Sequence, residues 1–391
     1  MKIWSLGFNV SNISQRNVLV LSIAQAILGI QMPTYFVLGS LVGQKIAPNS
    51  CLATMPISLI VLGCMICAPN LSKIMQYYGR AYGFTLGALG GAFGSLISAS
   101  GIFYENFYLF LLGSFISGSY MSAQGFYRFA VTDTAEKQFH PKAISFVLAA
   151  GLLSAFLANY LIKNTNNLIS DHLYLGTYLV LIILNIMGIF IFRFLKIPII
   201  EKKLENKNNN RNLNEMLKNP IIFVSIICAM VSYSLMNLVM TSTPIAVIGC
   251  GFTLNDAADV VFFHILAMYI PSFFTGFLIK KFGFEKVIFL GMFLLTISGV
   301  IAITDINIEN FYFALIFLGI GWNFGFIGST SMLTSAHSSQ ERGTIQGFND
   351  LAVFGLVAIA SLSSGGLMNC TSTSTQFGWQ SVNFAMIPFL L

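Results

Sequence analysis

Lysine and arginine residues are sorted along this chain in a way that restricts its fold to one class. Long apolar segments alternate with polar connections, and eighteen of the twenty Lys and Arg residues fall on every second connection. Cytoplasmic loops of membrane proteins retain Lys and Arg, whereas loops on the opposite side are depleted of them. The pattern therefore predicts an all-α polytopic membrane protein with one fixed orientation.

The apolar segments are long enough to cross a bilayer, since about twenty apolar residues span the hydrocarbon layer as a helix. The 391-residue chain is 56% hydrophobic and 9% charged, whereas a soluble domain carries roughly a quarter charged residues. Twelve membrane helices are predicted, of which the last is the shortest. They lie at 17–43, 51–69, 81–102, 107–127, 143–162, 173–195, 220–244, 257–279, 286–304, 310–335, 344–367 and 377–391.

Both termini are predicted on the cytoplasmic side of the inner membrane, because this arrangement leaves only Lys45 and Lys163 outside. The net charge of +6 lies in short loops, which argues against a nucleic-acid-binding face. The outer loops carry acidic residues, namely Glu105, Asp171, Asp256, Asp259, Asp305 and Glu309. The cytoplasmic cations are Lys2, Arg16, Lys73, Arg80, Arg128, Lys137, Lys142, Arg193, Lys196, Lys202, Lys203, Lys207, Arg211, Lys218, Lys280, Lys281, Lys286 and Arg342.

A long polar connection divides the twelve predicted helices into six and six. The Asn- and Lys-rich stretch 196–219 is interpreted as a cytoplasmic linker between a six-helix bundle at 1–195 and another at 220–391. The same four residues, Glu-Asn-Phe-Tyr, open the fourth segment at Glu105 and the tenth at Glu309. Because both copies occupy the same place in the topology, they indicate a sequence repeat with pseudo-symmetric halves.

Two six-helix halves with a basic linker resemble the major facilitator superfamily, whose signature loop reads approximately Gly-x-Leu-Ala-Asp-Arg-x-Gly-Arg-Arg between the second and third helices. Here Leu71, Gly79 and Arg80 fit that loop, but its acidic residue is missing. The resemblance implies a loop that latches the halves in one state, so this latch is either absent or made by another residue. The second-half counterpart contains Gly276, Leu278, Lys280, Lys281 and Gly283.

Two further stretches, 126–135 and 346–350, are similar to a bacterial subgroup of the superfamily that is linked with vitamin uptake, riboflavin being one suggestion. The fourth segment lacks the intramembrane Arg of many proton-coupled members. The fifth lacks the Gly-Pro element typical of drug–proton antiporters. Both omissions argue against multidrug efflux, and they leave export of a specific compound open, although import is the favoured direction.

Polar side chains at helix midpoints are costly in lipid, so they should face a central cavity or a neighbouring helix. Aromatic and amide groups suit a neutral, partly planar solute. The alternative is that these groups bond across helix interfaces, or, for the Trp, only pack. The candidate solute-binding residues are Gln25, Gln31, Tyr120, Gln124, Tyr233, Asn237, Tyr269, Trp322 and Asn323.

Two titratable groups lie within predicted spans and could carry a coupling proton, Asp350 in the eleventh helix and His264 in the eighth. A carboxyl group out of water and an imidazole can both change protonation near neutral pH. The structural alternatives are that Asp350 caps a helix or pairs with Arg342, and that His264 only forms hydrogen bonds.

The sequence predicts a secondary transporter and not an enzyme. It has no nucleotide-binding P-loop, no metal-ligand spacing and no catalytic triad, and no cofactor is implied. Cys64 and Cys67 lie in an apolar segment and are interpreted as packing residues. We expect a monomer in the lipid bilayer that moves a small organic solute by alternating access, driven by protons. The alternatives are a specific efflux carrier, a solute receptor that has lost transport and, least favoured, a membrane enzyme.

Overall fold

The computed structural model describes residues 13–135, 140–198, 212–338, 341–371 and 374–390. Within these ranges the chain forms helices joined by short turns. The helices are α1 (Ile13–Leu28), α2 (Gln31–Ile46), α3 (Met55–Tyr78), α4 (Arg80–Phe103), α5 (Phe107–Gly125), α6 (Tyr127–Ala130), α7 (His140–Thr165), α8 (Leu175–Phe192), α9 (Leu213–Leu217), α10 (Pro220–Gly249), α11 (Leu254–Tyr269), α12 (Ser272–Phe282), α13 (Phe284–Thr304), α14 (Ile308–Ser335), α15 (Arg342–Cys370), α16 (Thr375–Phe384) and α17 (Ile387–Leu390). A 3-10 turn covers Ser50–Leu52.

Nine spans among the described residues are long and apolar enough to cross a membrane, and α11 with α12 make a tenth if this bent pair is one span. Two predicted spans fall outside that test. Helix α5 is rich in serine and glycine, and α16 has only 10 residues. The twelve-helix prediction is consistent with this architecture, although these two spans do not reach the same standard of length and hydropathy.

Two of the predicted helices are interrupted. The first consists of α1 and α2, with Pro33 in the first turn of α2, where proline is tolerated because its missing N–H has no partner in a first turn. The eighth consists of α11 and α12, which meet at 41° around Pro271. Both breaks leave backbone N–H and C=O groups without helical hydrogen bonds, so neighbouring side chains must supply the partners.

The outer surface of the helices is apolar, unlike the surface of a soluble protein, and the core is apolar as well. Large apolar side chains such as Phe93, Ile183 and Phe289 are exposed on the outside of the helices. Hydroxyl groups are buried between them, and Tyr35 donates to Ser98 (3.1 Å) while Ser117 donates to Tyr35 (2.8 Å). Lipid solvates apolar surface, so the polar groups turn inward and bond across helices.

The repeat seen in the sequence is matched in the backbone. Gly79 joins α3 to α4 and Gly283 joins α12 to α13, with φ values of 91° and 88°. Only glycine adopts this conformation at low cost. Glycines of α4 also allow close packing, because a methyl group placed on Gly87 would overlap Ala123 of α5.

The faces of the molecule follow the predicted orientation, in which loops 47–54, 104–106, 166–174, 250–253 and 305–307 lie on the outer face. The two lysines predicted outside both form ion pairs with outer acidic residues, Lys45 with Glu105 (3.8 Å) and Lys163 with Asp259 (2.6 Å). Most of the predicted linker, 199–211, lies outside the described residues. Its end, α9, buries Met216 against the second half.

Candidate solute-binding site

The two halves meet along an interface that is joined at the outer face by hydrogen bonds from Thr54 to Ser361 and from Lys163 to Asp259. Halfway along it, Val61 of α3 packs against Val353 and Val357 of α15. Closer to the inner face, Arg128 of α6 and Asp350 of α15 are exposed and are close enough to interact electrostatically. The space between the halves therefore carries one exposed cation and one exposed anion toward its inner end.

An aromatic cluster forms the wall of this space in the second half. Tyr233 of α10 lies at its centre, with ring centroids 5.4 Å from Trp322, 5.1 Å from Phe326 and 5.8 Å from Phe354. The Trp322 and Phe326 rings are stacked, with centroids 5.3 Å apart and planes 15° apart. The buried Trp322 Nε1 has no hydrogen-bond partner among the described residues. Such a surface can stack with a flat solute and donate one hydrogen bond to it.

Tyr269 extends this wall toward the first half. It lies at the end of α11, just before the break, and it is half-buried. Both Tyr269 and Tyr233 lie close enough to Arg128 to interact with its charge. The predicted residues Tyr233, Tyr269 and Trp322 are therefore brought together, whereas their sequence positions alone did not show this.

Asn323 is fully occupied by protein groups at the break between α11 and α12. Its amide nitrogen donates to the Met268 carbonyl oxygen and to Ser272 Oγ, and its Oδ1 accepts from Thr275 Oγ1, each at 2.6 Å. An amide in this position satisfies backbone and hydroxyl groups that the broken helix leaves free. Its solute-binding role remains a prediction, and the geometry favours the structural alternative.

The other predicted residue of α10, Asn237, also lies inside the second half. Its side chain is buried, and its Oδ1 accepts from Thr241 Oγ1 at 3.3 Å. The hydroxyl of Thr241 also lies 3.4 Å from that of Ser361 in α15. Asn237 thus belongs to a polar chain between two helices.

The candidates of the first half lie apart from the aromatic cluster. Gln31 is buried and its Oε1 accepts from Asn185 Nδ2 at 2.8 Å, a contact between α2 and α8. Gln25 is half-buried and its amide faces Gly151 of α7. Tyr120 is fully buried, while Gln124, one turn further on in α5, is half-buried. Their binding roles stay predictions, and half-buried Gln25 and Gln124 are more accessible than Gln31 and Tyr120.

His264 is buried inside the second half. Its Nδ1 lies 2.7 Å from the Leu315 carbonyl oxygen of α14, whereas its Nε2 has no partner among the described residues. Asp350, by contrast, is exposed toward the inner end of the interface and accepts from Asn349 Nδ2 at 3.2 Å. Of the two candidate proton carriers, only Asp350 lies where solvent reaches it. The side chain of Arg342, its alternative partner, lies outside the described residues.

The signature loop of the first half has an acidic partner elsewhere in the chain. Arg80 Nε donates to Asp133 Oδ2 at 2.8 Å, and Leu71 is buried in α3. Asp133 follows α6, so it supplies from another loop the carboxylate that the signature loop lacks. The matching residues of the second half are more exposed: nothing lies near Gly276, Leu278 is half-buried, and Lys280 and Lys281 are exposed.

Sequence reasoning missed several residues that complete these sites. Asp133 lies in a stretch that was noted only for its resemblance to other sequences, and Arg128 of the same stretch was otherwise noted only as a cytoplasmic cation. Phe326 follows Trp322 by one helical turn, a spacing that places both side chains on the same helix face. That spacing was a signal that could have predicted the stacked pair.

Sequence comparison finds similar proteins that are membrane transporters. A curated relative, the riboflavin transporter RfnT of Brucella anthropi, is 39% identical over 378 residues, covering 96% of this chain and 94% of its own. An uncharacterized MFS-type transporter of Bacillus subtilis, YddS, is 26% identical over 95% of this chain and 88% of its own. A model of the Major Facilitator Superfamily matches residues 17–362.

Solved structures show the same fold at low sequence identity. A mutant of the nucleoside transporter NupG aligns with TM-score 0.76 at 12% identity over 96% of this chain and 97% of its own. The E. coli xylose transporter XylE, in a partially occluded inward-open conformation, aligns with TM-score 0.71 at 13% identity over 97% of this chain and 96% of its own.

Two related helical halves that meet along an interface lined by aromatic and charged groups have the architecture of a membrane transporter for small molecules. The matched residues and the fold then identify the family. The chain belongs to the Major Facilitator Superfamily, whose members are transporters and not enzymes.

Proposed function

We propose that this protein imports riboflavin, and the stacked Trp322–Phe326 pair beside Tyr233 is the observation that carries the proposal. Riboflavin joins a flat three-ring isoalloxazine to a chain of hydroxyl groups and is uncharged at neutral pH. Aromatic walls bind flat rings by stacking. The riboflavin transporter that is 39% identical supports the same solute.

The contacts can be assigned by chemistry. The isoalloxazine ring stacks on the aromatic cluster of Tyr233, Trp322, Phe326 and Phe354, and a ring carbonyl accepts from the unpartnered Trp322 Nε1. Half-buried polar groups such as Gln124 of the first half suit the ribityl hydroxyls. Binding to both halves at once is what couples solute to the rocking of one half against the other.

Transport proceeds by alternating access, in which the bundle 1–195 rocks against the bundle 220–391 as a monomer in the cytoplasmic membrane. Asp350 is the proposed proton carrier because it is exposed toward the inner end of the interface and faces Arg128 of the other half. Protonation removes its charge and weakens that attraction, so the charge state of Asp350 biases how closely the inner ends approach. Uptake, and not efflux, agrees with the missing Gly-Pro element in the fifth predicted helix.

Removal of the aromatic surface tests the proposal. Cells that depend on external riboflavin are supplied with the wild-type chain or with Trp322→Ala, and uptake of labelled riboflavin is measured at equal amounts of protein in the membrane. We expect Trp322→Ala to lower uptake by about tenfold, because loss of one stacked ring costs roughly 1–3 kcal/mol. Trp322→Phe should retain part of it.

The matched control is Phe313→Ala, which removes an aromatic ring from the same helix, α14, at a lipid-facing position that is 56% exposed. It should transport like the wild type. Riboflavin uptake that is unchanged in Trp322→Ala, or absent in the wild-type chain both with and without an external phosphine reductant, would contradict the proposal.

A further inference from the structure

A covalent bond joins the two halves at the outer face. Cys51, in the 3-10 turn between α2 and α3, forms a disulfide with Cys370, the last residue of α15, and their Cα atoms are 5.6 Å apart. The two residues are 319 positions apart in sequence. Among the described residues the other four cysteines, Cys64, Cys67, Cys228 and Cys250, are free.

Hydrogen bonds hold the same two elements together around the disulfide. Asn369 Nδ2 donates to Gln44 Oε1 at 2.9 Å and to the Ser50 carbonyl oxygen at 2.7 Å. Thr54 Oγ1 donates to the Ser361 carbonyl oxygen at 2.6 Å and accepts from the Gly365 N–H at 2.9 Å. The turn between α2 and α3 is therefore bound to α15 both by the disulfide and by hydrogen bonds.

A second outer contact lies on the other side of the interface. Asp259 Oδ1 of α11 accepts from Lys163 Nζ at 2.6 Å and from Asn159 Nδ2 at 2.7 Å, and both donors belong to α7. This contact is ionic and part-buried, so water and solute can compete for it in every cycle. The disulfide has no such reversibility.

The disulfide and the non-covalent contacts differ in whether they allow the outer ends of the halves to separate. An outward-open state requires the outer ends of the halves to separate, and hydrogen bonds and ion pairs can be broken and remade. A disulfide keeps its two Cα atoms within about 7 Å, so the outer end of α15 cannot leave the turn at Cys51. No comparable bond restrains Arg128 and Asp350 toward the inner end of the interface, where both are exposed.

We propose that the Cys51–Cys370 disulfide is a redox lock on the transport cycle: the oxidised protein is held closed at its outer face, and the dithiol form opens outward and loads solute. Unlocking is a two-electron reduction of the S–S bond. Two reductant thiols leave as their disulfide and give their two protons to the new thiols, or a phosphine takes the oxygen of one water molecule and leaves as its oxide while the two protons of that water complete the thiols. Locking is thiol–disulfide exchange with a disulfide oxidoreductase, whose own disulfide is reduced.

The first experiment tests the lock without any solute. Ala258 of α11 is buried between the halves near Asn159, close to the outer face. The variant Ala258→Cys is made with the four free cysteines replaced by serine, once with the disulfide pair and once with Cys51→Ser and Cys370→Ser. A membrane-impermeant maleimide is then applied to intact cells.

We expect labelling at position 258 to be severalfold faster in the serine pair than in the chain that keeps the disulfide. Tyr104→Cys, at an outer position that is 71% exposed, is the matched control and should be labelled equally in both backgrounds. Equal labelling at position 258 would overturn the lock.

The second experiment measures transport with riboflavin as the probe, and it alone rests on the proposed function. Uptake by the wild-type chain should rise severalfold when a phosphine reductant is added outside. Cys51→Ser and Cys370→Ser should already be fast and should not respond. Cys250→Ser, a free cysteine at the outer end of α10, should behave like the wild type.

The two experiments separate the two proposals. Wild-type uptake that ignores the reductant, or serine variants that transport more slowly than the oxidised wild type, would overturn the lock. A complete lack of riboflavin uptake, with the expected labelling difference at position 258, would contradict only the proposed solute.

Discussion

Single residues in this protein show why a polar side chain at a helix midpoint can have either of two roles. It can contact solute, or it can form hydrogen bonds with a neighbouring helix. Asn323 and Trp322 are neighbours in α14, and both were predicted to contact solute. The structure gives Asn323 three protein partners, whereas Trp322 Nε1 has none among the described residues. Hydropathy cannot separate the two cases, because it is the neighbouring helix that supplies or withholds the partner.

Replacement of Asn323 by alanine should destabilise the protein more than it changes solute recognition. The variant leaves the Met268 carbonyl and two hydroxyls without their partner, and we expect a loss of about 1–2 kcal/mol, since interhelical hydrogen bonds in membranes are of that size. Thermal unfolding in detergent measures it. Asn164→Ala, which removes an exposed amide that bonds only its own helix at Tyr160, is the control. A normal unfolding temperature with abolished uptake would instead identify Asn323 as a solute contact.

Replacement of Asp350 by asparagine should separate transport from its driving force. An amide keeps the shape and the contact with Asn349 but cannot take up a proton, so uphill accumulation should be lost while exchange of labelled for unlabelled riboflavin continues. Proteoliposomes with and without a pH gradient provide both readings. Asp171→Asn, at an exposed outer site, should keep both activities. Accumulation that still follows the pH gradient in Asp350→Asn would exclude this carboxyl as the proton carrier.

At the scale of helices, the two glycine junctions are the elements that the repeat preserves. Gly79 and Gly283 reverse the chain at the inner face with nearly the same φ and ψ values, 91° and 160° against 88° and 162°. Beside the first junction, Arg80 pairs with Asp133 from the loop after α6. Gly79 of the motif lies at this turn, and the carboxylate that pairs with Arg80 lies 53 residues further along the chain.

Alanine at either glycine junction should strain the turn. A residue with a Cβ in this backbone region costs on the order of 1–3 kcal/mol, so Gly79→Ala and Gly283→Ala should each lower the unfolding temperature and the amount of folded protein. Gly276→Ala is the matched control: it lies within α12, has no atom within 4 Å of the added methyl group, and has ordinary helical φ. Equal stability of all three variants would show that these turns can relax.

At the scale of the whole molecule, the halves are joined across the outer face. The contacts link residues far apart in the chain, such as Thr54 with Ser361 and Lys163 with Asp259. Both lysines predicted outside find acidic partners there, which is the electrostatic arrangement expected of an outer face with few cations.

Cysteine labelling from outside intact cells checks the predicted orientation. In a background whose free cysteines are serine, Tyr104→Cys and Asp171→Cys should react with an impermeant maleimide. Lys218→Cys and Lys280→Cys, at exposed basic positions of the inner face, should react only after the membrane is made permeable. The opposite result, or reaction of all four, would reverse or reject the orientation that the charge distribution predicts.

The helical membrane fold and the family could be predicted from the sequence, because hydropathy and glycine junctions are local properties that each stretch of chain carries by itself. The candidate site could be predicted only in part. Tyr233, Tyr269 and Trp322 do lie together, but Phe354 and Arg128 were missed because they reach the cluster from other helices.

The amino-acid sequence by itself determined that this chain forms apolar helices in two related halves, since a helix satisfies its own backbone in lipid and needs no distant partner to do so. The tertiary structure alone decided which buried polar groups are occupied, that Asp133 pairs with Arg80, and that Cys51 meets Cys370. Such contacts depend on how the helices pack. Packing brings together residues that are far apart in the chain, and their sequence separation does not indicate how close they lie in space.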